Sequence, residues 1–214
     1  MLDFIPETPV LLAYTAAVIA LTLTPGPDMT LFLSQTVSRS RLAGVAAYAG
    51  AATGLVCHTV FVAVGLSALL LASATAFTVL KVVGALYLLW LAVDAIRNGS
   101  SFHLSAGEKA PGSLLKVYAK GLLINLLNPK IIVFFITFLP QFVSPSDPDA
   151  APKLLFLGVM FVVVATPITL TMIAFAGSLA ALLKRSRVAT RTVDWLFATV
   201  LGGFAIKLLA TRAG

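Results

Sequence analysis

Pro25, Gly26, Pro27 and Asp28 interrupt one long apolar run, LTLTPGPDMTLF, and Asn125, Asn128, Pro129 and Lys130 interrupt another, INLLNPKIIVFF. Proline lacks an N–H and removes a helix hydrogen bond, and glycine admits backbone angles closed to other residues. A helix broken at such a point frees carbonyls, which suit an ammonium group. It also leaves a half-helix N-terminus, whose N–H donors and positive potential suit a carboxylate. Asp28, the only acid in the first run, suits an ammonium or a transferable proton, or else caps the helix after the break. Lys130 pairs with Asp28 across the two breaks, attracts a carboxylate, or extends its long stem to a membrane surface. Asn125 and Asn128 offer amide donors and acceptors to a zwitterion without adding charge, and Asn128 is also a cap candidate. These eight residues form a candidate binding site for a small solute.

Other chemistry-bearing residues are sparse. His58 sits in an otherwise uncharged run and is a proton-relay candidate beside Asp28, because a histidine's reference pKa lies near neutrality. The alternative is a neutral, hydrogen-bonded packing residue. Asp94 and Arg97 stand one helical turn apart and read as an intrahelical ion pair. Asp194 reads as a helix cap beside the Lys184–Arg191 cluster, and Lys81 and Lys207 as side chains that reach outward. The one cysteine, Cys57, forms no intrachain disulfide and reads as a small packed residue. There is no Walker loop, no His/Cys/Asp cluster with metal-ligand spacing and no G-x-S-x-G motif. Ser34 and His58 are the only nucleophile and base types near the breaks, and nothing in their spacing selects them. No catalytic residue, metal or cofactor is therefore expected, and the chain is not expected to be an enzyme.

These residues need elements that hold them at membrane depth. Charged residues make up 11% of the 214 positions and mean hydropathy is +1.02, against about 25% charged in a soluble domain. That leaves too little polar surface to coat a water-soluble globule, so an integral membrane protein in a lipid bilayer is expected. Six apolar spans are predicted, at 9–37, 42–71, 76–97, 115–143, 154–183 and 193–211, each near the ~20 residues that cross the hydrocarbon core. Pro167 marks a further kink in the fifth. Trp90, Trp195, Tyr87 and Phe142 include candidate interface anchors. Ten of the fifteen basic residues fall in the links between spans one and two, three and four, and five and six. The net charge of +7 thus reflects membrane orientation, not nucleic acid: those links are cytoplasmic and both termini extracytoplasmic. The N-terminus, MLDFIPETP, has no basic residue, so no cleavable signal is expected.

A polar link at 98–114 divides the chain into a three-helix repeat at 1–97 and another at 115–214, together one transmembrane domain. Three spans is an odd number, so the second half enters the membrane inverted. Matching breaks in spans one and four then point to an all-α polytopic protein with two inverted repeats, broken helices 1 and 4, and a site between the breaks. This is the pattern of a secondary transporter. Gly50 and Gly54 form a GxxxG pair for close helix packing, joining either the two halves or two protomers of a homodimer.

PGPD in span one, GAATGLVCHTVFVAVGLSALL in span two, GALYLLWLAVDAIR in span three and KGLLINLLNPKIIVFFITFLPQF in span four resemble the lysine-exporter (LysE/RhtB) family. The order and spacing match over nearly the whole chain, and the overall texture is closer to the neutral amino acid branch, for threonine and homoserine. The resemblance implies export of a small amino acid, leucine-like ones included, across the bacterial cytoplasmic membrane in exchange for protons. An exporter of another solute, such as a cation or amine, is the alternative reading. A membrane enzyme or assembly partner is a second.

Overall fold

The computed structural model describes residues 5–66, 74–98, 113–143, 147–178, 181 and 186–210. Lys109, Lys184 and Arg185 of the expected cytoplasmic links lie outside these residues, as do the side chains of Lys81, Arg187 and Lys207. Every regular element among the described residues is helical: α1 (Thr8–Leu23), α2 (Pro27–Ser38), α3 (Arg41–Phe61), α4 (Ala74–Asn98), α5 (Leu114–Leu126), α6 (Pro129–Val133), α7 (Ala150–Ala174) and α8 (Arg187–Ala210). A π turn, Val62–Leu66, extends α3, and a π turn and a 3-10 turn carry α6 on to Phe142.

Both predicted breaks are present, and proline makes them. Thr24 and Asn128, each preceding a proline, are extended, because the proline ring disfavours the helical region for its predecessor. Pro27 and Pro129 then open α2 and α6 at the first helical position, where a missing N–H is harmless. The bends are alike: 52° between α1 and α2, and 50° between α5 and the stretch Pro129–Phe142 that α6 opens. Two helices, Arg41–Gly65 and Ala150–Ala174, are long and apolar enough to cross a membrane, and up to four spans result if each bent pair counts as one. The all-helical membrane class is therefore as expected, and the described residues give two to four spans by this measure. Asp194 is no cap: α8 begins at Arg187, and Asp194 lies two turns inside it, 1% exposed.

The exterior is apolar. Phe61, Val64, Leu115, Val163 and Phe175 are all more than 60% exposed, the reverse of a soluble surface. Hydroxyls inside this shell bond back to the carbonyl four residues earlier, as at Thr15, Thr22, Thr59, Thr137 and Thr166, which satisfies them without water. Trp90 and Trp195 are exposed, as interface anchors would be, whereas Phe142 turns inward to stack edge-on against Tyr14 and Phe138. Pro167 sits inside α7, which stays helical through it.

The glycine pair has a defined partner. A Cβ on Gly50 would lie 2.0 Å from the Tyr118 carbonyl oxygen, and one on Gly54 2.5 Å from Asn125 Oδ1. Gly121 returns the contact, since its Cβ would meet the Ala47 carbonyl at 2.1 Å. So α3 and α5 touch backbone to backbone, and the GxxxG face is used within one chain.

One sequence offset recurs along the chain. Tyr14 and Tyr118, Pro25 and Pro129, and Gly54 and Gly158 are each 104 residues apart (118 − 14, 129 − 25, 158 − 54). The bonds repeat with the residues. The Tyr14 hydroxyl on α1 donates to the Leu157 carbonyl on α7 at 2.9 Å, and the Tyr118 hydroxyl on α5 donates to Thr53 Oγ1 on α3 at 2.8 Å. Thr53 and Leu157 share the same offset (157 − 53). Tyr14→Phe should cost about 1 kcal/mol, the net value of one such bond, and lower the melting midpoint in detergent by about 2–4 °C. Tyr118→Phe, at a wetter position, should cost less.

Candidate functional site

The two breaks meet. Asp28, in the first turn of α2, turns its carboxylate toward the end of α5. Its Oδ2 accepts hydrogen bonds from Asn125 Nδ2 at 2.9 Å and Asn128 Nδ2 at 3.0 Å. Its Oδ1 is buried with no hydrogen-bond partner. The alternative of a cap by Asp28 is not taken up, because the N-cap of α2 is Gly26 and both Asp28 bonds go to Asn125 and Asn128 at the second break. Asn128 does cap, its Oδ1 accepting from the Lys130 N–H at 3.1 Å while its amide serves Asp28. Its cap role is therefore filled, and its amide ties Asp28 at the same time.

Lys130 points the other way across the junction. Its Nζ donates to the carbonyls of Leu21 at 3.2 Å and Thr24 at 3.0 Å, at the C-terminal end of α1. Those are carbonyls that the break frees, at the negative end of the helix dipole. Gly26 makes room for it, since a Cβ there would stand 3.1 Å from Nζ. The backbone at Gly26 is extended, open to any residue. A side chain there would have to displace the lysine tip by a few tenths of an ångström; the backbone angles set no demand.

A cavity of about 50 Å³ opens at this junction, with space for roughly three to five waters or a compact solute. Asp28, Asn125 and Lys130 supply its charged and amide end. Thr22, Thr24 and Thr169 add hydroxyls, and Met29, Phe32, Tyr48 and Met172 form an apolar wall. Phe32 and Tyr48 stack edge-to-face, and the Tyr48 hydroxyl shares a 2.6 Å hydrogen bond with Thr166 on α7. An acceptor buried without a donor costs about 1–3 kcal/mol. Asp28 Oδ1 is thus a standing seat for a donor group, such as an ammonium.

His58 lies behind this cavity rather than on its wall. Its Nε2 is 3.4 Å from the Asn125 carbonyl oxygen, and its ring packs on Phe135. Ser34 donates to the Leu31 carbonyl within its own helix and makes no bond to His58. The described residues hold no group of three or more His, Cys, Asp or Glu that could bind a metal. Sequence reasoning missed the carbonyls of Leu21 and Thr24, which are backbone atoms, and the apolar wall, whose side chains look like any others in apolar runs. The 104-residue offset was a readable signal, and it pairs the ends of α1 and α5.

Two bent helices, crossed end to end around buried polar groups in an apolar shell, define a membrane protein with a solute-sized site at its breaks. The sequence matches the LysE type translocator family over residues 19–212, and the chain belongs to that family. It is 32% identical to a membrane protein of Vibrio cholerae, over 94% of this chain and 97% of that one. It is 35% identical to a homoserine/homoserine lactone efflux protein of Salmonella typhimurium, over 80% and 82% respectively. It is 31% identical to a threonine efflux protein of Escherichia coli, over 89% and 92%. No solved structure matches the chain.

Proposed function

We propose that this protein exports a small, neutral amino acid from the bacterial cytoplasm, in exchange for protons, through the cavity between the two breaks. The observation that carries the reading is Asp28: a carboxylate at membrane depth, fixed by two amides from the opposite half, with one oxygen left for a donor. A zwitterion would place its ammonium there. Its carboxylate would meet the first-turn N–H groups of α2 and the asparagine amides. Threonine and homoserine, the substrates named for the relatives, are compact enough for such a site, and Thr22, Thr24 and Thr169 offer partners to a side-chain hydroxyl.

The architecture proposed with it is six spans in two inverted halves, 1–97 and 115–214, joined by a cytoplasmic link at 98–114. Bends of 52° and 50°, the shared offset and the exchanged tyrosine bonds support the symmetry. Helices α4 and α8, of 25 and 24 residues, would be the third span of each half; at 1.5 Å per residue each runs about 36 Å. Both termini would be extracytoplasmic. One half rocking against the other would expose the cavity to each side in turn.

The test is efflux of a panel of labelled amino acids from proteoliposomes of calibrated orientation, with and without an imposed pH gradient. Gradient-dependent movement of threonine or homoserine is the expected result. If no amino acid moves while small amines do, the substrate assignment is wrong and the alternative of an amine exporter stands.

A further inference from the structure

The cavity that would take a substrate ammonium at Asp28 Oδ1 is already lined by an ammonium of the protein itself. Lys130 Nζ donates to the freed carbonyls of Leu21 and Thr24, on the same cavity that Asp28 lines, and it presses against Gly26. A free amine brought into this cavity meets the open Oδ1 of Asp28. The cavity then holds two ammonium groups against a single carboxylate, with like-charge repulsion in a low-dielectric setting.

We infer that Lys130 is the group whose proton is exchanged for substrate, a tethered ammonium that competes with the substrate's own. The inference rests on the export reading above and names the coupling residue within it. On the cytoplasmic side, the incoming zwitterion brings its ammonium against Asp28 and the α1 carbonyls. Lys130 gives one proton to cavity water and remains as a neutral amine. On the outer side the substrate leaves, and Lys130 takes one proton from outer water and returns to the carbonyls. Each half-cycle thus carries one ammonium against Asp28, either the substrate's or the lysine's, and one proton enters per substrate exported.

The charged and titratable surroundings are few. Helix α2 contributes Asp28. Helix α3 contributes Tyr48, a phenol on the cavity wall whose hydroxyl is engaged with Thr166, and His58, which reaches the site only through the Asn125 carbonyl and the field it shares with Asp28. The facing stretches of α1, α5 and α7 on the cavity wall contribute Leu21, Thr22, Thr24, Asn125, Phe161, Ala165 and Thr169, none of which titrates. A phenol ordinarily titrates at about pH 10, so Asp28 and His58 are the rivals for the coupling role, and the experiment must separate them from Lys130.

The test uses the full chain in proteoliposomes, with labelled threonine or homoserine, whichever the parent moves, and reads half-saturation on the cytoplasmic face against pH. One proton displaced per substrate gives the parent a tenfold fall in half-saturation per pH unit over the competitive range. Lys130→Gln, which cannot hold the proton, should flatten that slope; its exchange should slow, and an imposed pH gradient should no longer drive net efflux. Lys130→Arg, which cannot release the proton, should flatten the slope at weak affinity, and it keeps the buried cation should the glutamine variant fail to fold. A parent-like slope in either variant would falsify the inference and hand the role to Asp28 or His58. A parent that moves no amino acid overturns the export reading itself, a different failure from a Lys130 variant that stays proton-coupled. His58→Gln should keep the slope, and loss of it there would also count against Lys130.

Discussion

Asp28→Asn should abolish gradient-driven amino acid efflux while leaving a folded, monodisperse protein. Asparagine has the shape of aspartate, and its one carbonyl oxygen can still accept both bonds that Asn125 and Asn128 give to Oδ2. What changes is the other position. Where Oδ1 now waits without a donor, the variant places an NH2, which presents hydrogens to an ammonium that also presents hydrogens. A hydrogen bond to a charged group contributes about 1.5–3 kcal/mol, so half-saturation should rise roughly ten- to a hundredfold from that loss alone. The loss is compounded because the carboxylate is also the counter-charge felt by Lys130. Efflux by the parent and the variant, each checked by size-exclusion chromatography, measures this. Parent-like efflux from Asp28→Asn would reduce the aspartate to a structural tie between the halves. Aggregation of the variant would make it such a tie by another route, because the cross-half bonds would then need the charge.

Much of this site is legible before any coordinates. A proline and an ionisable residue inside an apolar run are costly together, so their double occurrence marks the two breaks, and the structure has both. The amide-to-carboxylate pairing of Asn125, Asn128 and Asp28 follows from types that must satisfy one another in a dry setting. The direction of Lys130 does not follow. A lysine stem reaches about 6 Å from its backbone, and whether its tip finds Asp28, a substrate or the far helix depends on how α1 and α6 cross. The carbonyls it finds belong to Leu21 and Thr24, residues whose side chains carry no hint of the contact. The cap assigned to Asp194 failed for a related reason, whereas that offered for Asn128 holds. Asp194 looked terminal because the polar residues before it looked like a loop, yet α8 runs through them from Arg187. Gly50 and Gly54 announced close packing without naming a partner. That partner, α5, comes from the other half of the chain, which no local pattern encodes.

That long-range contact yields the largest stability effect expected here. Gly50→Ala adds one methyl group where the Tyr118 carbonyl oxygen would lie at 2.0 Å and the Leu122 nitrogen at 2.7 Å. Both atoms are backbone, so neither can turn aside as a flexible side-chain tip would. Relief requires α3 and α5 to separate, and with them the groups they position: Asn125, which holds Asp28, and His58, which backs Asn125. Overpacking of this kind costs about 1–3 kcal/mol, occasionally more. The melting midpoint in detergent should fall by about 5 °C or more, with substrate binding weakened in proportion to the displacement of Asn125. Gly203→Ala in α8 is the matched control. Its Cβ would meet nothing within 4 Å, and alanine is the better helix former by up to ~1 kcal/mol, so the same change should there be neutral or stabilising. Equal effects at the two glycines would mean that alanine acts through helix propensity alone. A loss confined to Gly50 would establish that the site is built on the α3–α5 contact, with the substrate seat and the joint between the halves sharing one set of atoms.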